Sequence, residues 1–84
     1  MTQVQVEEIT GLVEETLLQV HGTDSLSSPV TPESKMGEPE EWDSLSFIAI
    51  FTAIAAKYEV ELADDDAFHF TSIPAMHGFL NEIL

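Results

Sequence analysis

The sequence has no cysteine and only two basic residues among its 84. Without cysteine the chain forms no disulfide and no thiolate site, which fits a reducing compartment without requiring one. Its 16 Asp and Glu residues give a formal net charge of −14. Nucleic acid and anionic membrane surfaces are therefore excluded as expected partners, because proteins bind both through Lys and Arg.

The sequence also has no long apolar run. The longest nearly apolar stretch runs from Phe47 to Ala56 and is interrupted by Thr52. A span of the bilayer needs about 20 apolar residues, so we expect no membrane span. The first residues do not show the basic and apolar regions of a signal peptide, which favours a cytoplasmic location.

Hydrophobic residues nevertheless make up 44% of the chain, which is enough to fold rather than stay a disordered acidic segment. A chain of this length buries only about 60–65% of its unfolded surface, so residues 1–84 are predicted to form one small domain.

Apolar residues recur at spacings of three and four over residues 3–20, which predicts an amphipathic first helix. Thr2 is its expected N-cap and Gly22 its expected stop. Residues 21–43 are rich in Pro, Gly, Ser and Thr and have no such period, so they are predicted to form a long loop. The residues expected to anchor this loop to the core are Leu26, Val30 and Met36.

Three further helices are predicted, over residues 44–58, 64–70 and 73–84. Ser72 is the expected N-cap of the last helix, and Pro74 suits its first turn. Because no segment shows the alternation of a strand, the fold class is all-α, a small four-helix bundle. The side chains expected to lie mostly in the core are Phe47, Phe51, Ile54, Tyr58, Phe70, Phe79 and Leu80.

Conventional catalytic and metal-binding patterns are missing. His21, His69 and His77 lie on different predicted segments, so they show no ligand spacing on one helix. The acidic run of residues 64–66 lacks the central Gly and terminal Glu of a calcium loop. We therefore predict no metal site and no catalytic residue, and we expect the chain not to be an enzyme.

One hydroxyl group stands out by its position. Ser44 lies where the long loop meets the start of the second helix, and its side chain is expected to be exposed. The start of a helix stabilises an attached anion such as a phosphodiester. On spacing alone, however, Asp43 and Ser44 can also be ordinary helix caps.

The residues Trp42-Asp43-Ser44-Leu45, followed by an apolar helix, resemble the attachment motif of acyl carrier proteins. The likeness covers residues 42–84 well, and residues 1–41 only in their architecture. The other stretches that carry it are Tyr58, Val60-Glu61-Leu62, Asp64-Asp65-Asp66 and Phe70-Thr71-Ser72-Ile73.

The resemblance implies a four-helix acyl-carrier-like bundle with a long loop between its first two helices. It implies that Ser44 carries 4′-phosphopantetheine, transferred from coenzyme A by a phosphopantetheinyl transferase, and that Asp43 shapes the helix start and assists recognition. The implied function is a monomeric, stand-alone carrier that holds acyl intermediates as thioesters in specialised polyketide-like or fatty-acyl biosynthesis. Its further partners would be an activating ligase and the downstream biosynthetic enzymes.

The sequence departs from the family at its second helix. Members usually carry docking carboxylates there, whereas this helix has none between Asp43 and Glu59. We therefore expect an apolar docking surface instead. The residues assigned to partner contact are Trp42, Leu45, Ile48, Ala49 and Thr52, although Trp42 also suits a role in filling the core.

Two alternatives remain open. One is a carrier of aminoacyl or peptidyl groups with the same fold, which the altered second helix makes credible. The other is a helical adaptor that binds partners through its apolar second helix, with Asp43 and Ser44 serving only as caps.

Overall fold

The structure, a computed structural model, describes residues 4–83. Most of these residues lie in four helical segments. They are α1 (Val6–His21), α2 (Ser44–Tyr58), a short 3-10 helix (Asp64–Phe70) and α3 (Ile73–Ile83). The described part has no β-strand and is mostly helical, as predicted for an all-α chain. None of its helices combines the length and the apolarity needed to cross a membrane.

The start of α1 differs from the prediction. Gln5 is the N-cap, and its backbone N–H donates to the Glu8 carboxylate at 3.4 Å. Val4 lies before the helix and is buried, with its N–H donating to Asn81 Oδ1 at 2.8 Å. Because this bond ties Val4 to α3, residues 4 and 5 do not join the helix that was predicted from residue 3. The predicted cap Thr2 lies outside the described residues.

Helices α1 and α2 each end at a residue with a left-handed backbone conformation. Gly22, with a φ of 59°, caps α1 as the sequence predicts, and its N–H donates to the Gln19 carbonyl at 3.3 Å. Glu59, with a φ of 52°, caps α2 and donates to the carbonyl of Ala55. Glycine adopts this conformation without the steric clash that a Cβ atom causes, so the end of α1 at Gly22 is less strained than the end of α2 at Glu59.

The core forms where α1 packs against α2 and α3, and its buried residues come from every helix. The buried Phe70 ring makes edge-on contacts to Phe51 at 5.1 Å and to Phe79 at 5.8 Å between centroids. Of the predicted core residues, Ile54, Phe70 and Leu80 are fully buried, whereas Phe47, Phe51, Tyr58 and Phe79 are partly buried and packed against them.

The segment between α1 and α2 is irregular but fixed to the rest of the molecule. Leu26, Val30 and Met36 pack against the core as predicted. The Met36 N–H donates to the Thr71 carbonyl at 2.8 Å, and the Ile73 N–H donates to the Ser34 carbonyl at 2.9 Å. These bonds hold the segment to the start of α3.

Candidate functional site

Ser44 is the first residue of α2, and its side chain is exposed. Asp43 precedes it in an extended conformation and caps the helix, with Oδ1 accepting the Ser46 backbone N–H at 3.0 Å. This hydrogen bond is the main reason that the pKa of Asp43 lies below its ordinary value of 3.8; nearby His21 lowers it further. The exposed hydroxyl therefore stands at the head of a capped helix.

Ser46 is the counterpart of Ser44 and has the opposite environment. Its side chain is fully buried, and Oγ donates to the Glu41 carbonyl at 2.7 Å. A hydroxyl that is buried and hydrogen-bonded offers no oxygen to a second protein. Of the two serines in the first turn of α2, only Ser44 is open to an external enzyme.

His21 joins the end of α1 to the start of α2. Its Nε2 atom lies 2.7 Å from the Glu41 carbonyl oxygen, 3.2 Å from Ser46 Oγ and 3.7 Å from Asp43 Oδ2. Neither His21 nor Ser46 was predicted from the sequence to belong to the site. Their separation of 25 residues hides the contact from any local pattern.

A second contact closes the loop that leads to the site. Glu41 Oε1 accepts a hydrogen bond from Ser27 Oγ at 2.9 Å, and Oε2 accepts one from the Ser27 N–H at 3.1 Å. The bond from the Ser27 hydroxyl is the largest of the effects that hold the pKa of Glu41 below 4.5. The residues just before Asp43 are thus tied both to the loop and to α1.

Trp42 lies in the core. Only 1% of it is exposed, so its side chain offers no surface to a partner. The prediction that Trp42 contacts partners is therefore wrong, and its side chain packs in the core. Its backbone N–H donates to the Pro39 carbonyl at 3.0 Å, and its carbonyl accepts from the Gly37 N–H at 2.9 Å. The buried indole fixes the backbone immediately before Asp43.

The other residues assigned to partner contact share one face of α2. Leu45 and Ile48 are 66% and 62% exposed, Thr52 is exposed and Ala49 is half-buried. Positions three, four and seven residues apart lie on the same side of a helix. Beside this face is a groove of about 320 Å³, and its lining residues are Phe47, Ile48, Phe51 and Ala67.

The histidines away from this site have structural contacts. The His69 ring stacks on Phe79 with centroids 4.3 Å apart, and His77 Nε2 lies 2.9 Å from the Val4 carbonyl oxygen. Among the described residues, no three His, Asp or Glu side chains are grouped as a metal ion would require.

Comparisons with family models, curated proteins and solved structures give no match for this chain. Its function is therefore inferred from the site itself.

Proposed function

We propose that this chain is an acyl carrier protein in which Ser44 is the attachment residue for 4′-phosphopantetheine. The observation that carries the proposal is the exposed Ser44 hydroxyl at the first residue of a 15-residue helix, next to a capping aspartate. The motif around it, Trp42-Asp43-Ser44-Leu45, is the one that resembles the family's attachment motif.

The surroundings of Ser44 suit a phosphodiester. The positive end of the α2 dipole lies at Ser44, and the first turn of the helix has no acidic residue. Since Ser46 is buried, an incoming transferase meets one hydroxyl rather than two. The first feature favours an anionic group on Ser44 Oγ, and the second leaves Ser44 as the accessible hydroxyl of this turn.

Attachment needs only an oxygen from this chain. Ser44 Oγ forms a bond to phosphorus as the pyrophosphate bond of coenzyme A breaks. The adenosine bisphosphate half leaves, and the hydroxyl proton passes to a base of the transferase. When attached, the group supplies a thiol that holds acyl cargo as a thioester. The chain contributes a rigid anchor and a docking surface, and tethering raises the local concentration of cargo at a docked enzyme.

The apolar face of α2, made of Leu45, Ile48, Ala49 and Thr52, is the surface that we assign to partner enzymes. The only charged side chain on α2 is Lys57. Partners therefore dock here by burying apolar area, with the acidic residues elsewhere on the chain acting over longer range.

This neutral face also favours the second candidate, a carrier of aminoacyl or peptidyl groups. Loading assays distinguish the two cargo classes. The modified protein is offered to an acyl-activating and to an amino-acid-activating ligase, and the thioester is identified by intact mass. Loading by the first ligase alone supports the acyl carrier, and loading by the second alone supports the alternative.

The deciding experiment is modification by a broad-specificity phosphopantetheinyl transferase with coenzyme A and magnesium. We expect the intact mass to rise by one phosphopantetheine group, and we expect Ser44→Ala to abolish the gain. Ser28→Ala, at another exposed serine, is the matched control and should be modified like the wild type. Folded wild-type protein that gains no mass would overturn the proposal and favour the adaptor, which uses the same apolar face without a covalent group.

A further inference from the structure

The contacts of His21 converge on the backbone that leads into Ser44. His21 is the last residue of α1, and its Nε2 atom reaches the carbonyl oxygen of Glu41 at 2.7 Å. The carbonyl is only an acceptor, so Nε2 carries the proton and donates. This contact joins the end of α1 to the residues that precede α2.

The Glu41 carbonyl receives a second donor from α2 itself. Ser46 Oγ donates to it at 2.7 Å, and the Ser46 backbone N–H donates to Asp43 Oδ1 at 3.0 Å. His21 Nε2 also lies 3.2 Å from Ser46 Oγ. Residues 41–46 therefore form a closed turn held by side chains from both helices, and Ser44 is one of the exposed residues within it.

We infer that His21 is a positioning residue for the modification of Ser44, an inference that rests on the proposed carrier function. His21 acts through Glu41 and Ser46. Its hydrogen bond restricts the backbone before Asp43 to the one arrangement in which α2 begins at Ser44. A segment that is ordered before the transferase arrives loses less conformational entropy on binding.

The expected effect on transferase kinetics depends on the fraction of molecules in which the backbone before Asp43 is already ordered; we call this the competent arrangement. If loss of the His21 bond lowers that fraction, the apparent affinity for the transferase falls in proportion. We expect the chemical step to be unaffected, because the polar contacts of His21 are to Glu41, Ser46 and Asp43 and do not include the Ser44 hydroxyl. The loss should therefore raise KM for the carrier and leave kcat close to its wild-type value.

The test compares three variants in steady-state modification by the transferase, each checked by circular dichroism to be folded. His21→Ala removes the donor. His21→Gln keeps an N–H donor at the equivalent position in the side chain. His77→Ala is the matched control, because it removes another histidine contact to a backbone carbonyl, that of Val4 at 2.9 Å, far from Ser44 in the chain.

We expect His21→Ala to raise KM roughly threefold to tenfold, as for a competent fraction of about 10–30%. His21→Gln should restore KM to near the wild-type value, and His77→Ala should leave it unchanged. An unchanged KM in His21→Ala, or an equal rise in His77→Ala, would overturn the positioning role while modification of the wild type still supports the carrier. Absence of modification in the wild type would instead overturn the proposed function, and with it this inference.

Discussion

Asp43 Oδ1 lies 3.0 Å from the backbone nitrogen of Ser46, so the residue before the exposed serine caps the helix that the serine begins. The other carboxylate oxygen, Oδ2, lies 3.7 Å from His21 Nε2. One side chain thus stabilises the helix start and contacts the residue at the end of α1. The stability of α2 and the geometry around Ser44 therefore depend on the same carboxylate.

Replacing Asp43 by Ala should lower the free energy of unfolding by about 1 kcal/mol, the typical loss for a removed N-cap. We also expect slower modification of Ser44, because the first turn of α2 frays more readily. Urea denaturation measures the first effect, and the rate of mass gain with the transferase measures the second.

Asp43→Asn distinguishes the cap from the charge, since asparagine keeps an oxygen acceptor for the Ser46 N–H. It should retain most of the stability that Asp43→Ala loses. If Asp43→Ala is modified at the wild-type rate, Asp43 has no part in transferase recognition.

Acid should weaken the contact between Glu41 and Ser27. Hydrogen bonding by Ser27 lowers the pKa of Glu41 in the folded state, so the folded protein favours the ionised carboxyl. The resulting stability is present above the unfolded pKa, close to 4.5, and is lost as the pH falls through the lower folded value. The stability difference between wild type and Glu41→Gln should therefore be larger near neutral pH than in acid, as measured by urea midpoints across the range.

Glu40→Gln is the control for that measurement, because it removes the same charge from the exposed neighbouring residue. Acid titration of the other carboxylates changes both variants alike. If Glu41→Gln and Glu40→Gln show the same pH dependence, the Ser27 contact contributes no pH-dependent stability.

Tyr58 should be replaceable by Phe with a gain in stability. Its hydroxyl is buried and has no hydrogen-bond partner among the described residues, and burial raises its pKa above 10.0. An unpartnered buried hydroxyl costs free energy that a phenyl ring does not pay, so Tyr58→Phe should raise the free energy of unfolding by about 1 kcal/mol. A lower free energy of unfolding in this variant would mean that the hydroxyl has a bonding partner in solution.

The helices were predictable because their signals are local. The predicted bounds 44–58 and 64–70 coincide with those observed, and Ser72 Oγ accepts the Ala75 N–H at 3.3 Å as an N-cap. The start of α1 was not predictable, since Val4 is fixed by Asn81, 77 residues away in the chain. Apolar spacing describes a helix face but not a hydrogen bond to a distant segment.

The residues of the candidate site were likewise only partly predictable from the sequence. The position of Ser44 at a helix start follows from local spacing. Its assignment as a site, with Asp43 and the apolar face, came from the resemblance to acyl carrier proteins, whereas the contacts of His21 with Glu41 and Ser46 follow from neither. Those contacts form only when the long segment closes and brings α1 against α2. For Trp42 the sequence allowed both core packing and partner contact, because a large aromatic suits either environment; the structure places it in the core.

Docking through the apolar face of α2 should depend only weakly on salt. Leu45 and Ile48 are exposed there, and the sole charge on the helix is Lys57. Screening weakens exposed charge pairs and leaves apolar burial largely intact. The dissociation constant for the transferase should therefore change little between low and physiological ionic strength.

Truncating the face should weaken binding regardless of salt. Ile48→Ala removes apolar area that a partner buries, with an expected loss of about 1 kcal/mol, or roughly fivefold in affinity. Ile83→Ala, at an apolar side chain on α3 that is 45% exposed, is the control and should bind like the wild type. A steep fall in wild-type affinity with added salt, together with normal binding by Ile48→Ala, would assign docking to the acidic residues outside α2 instead.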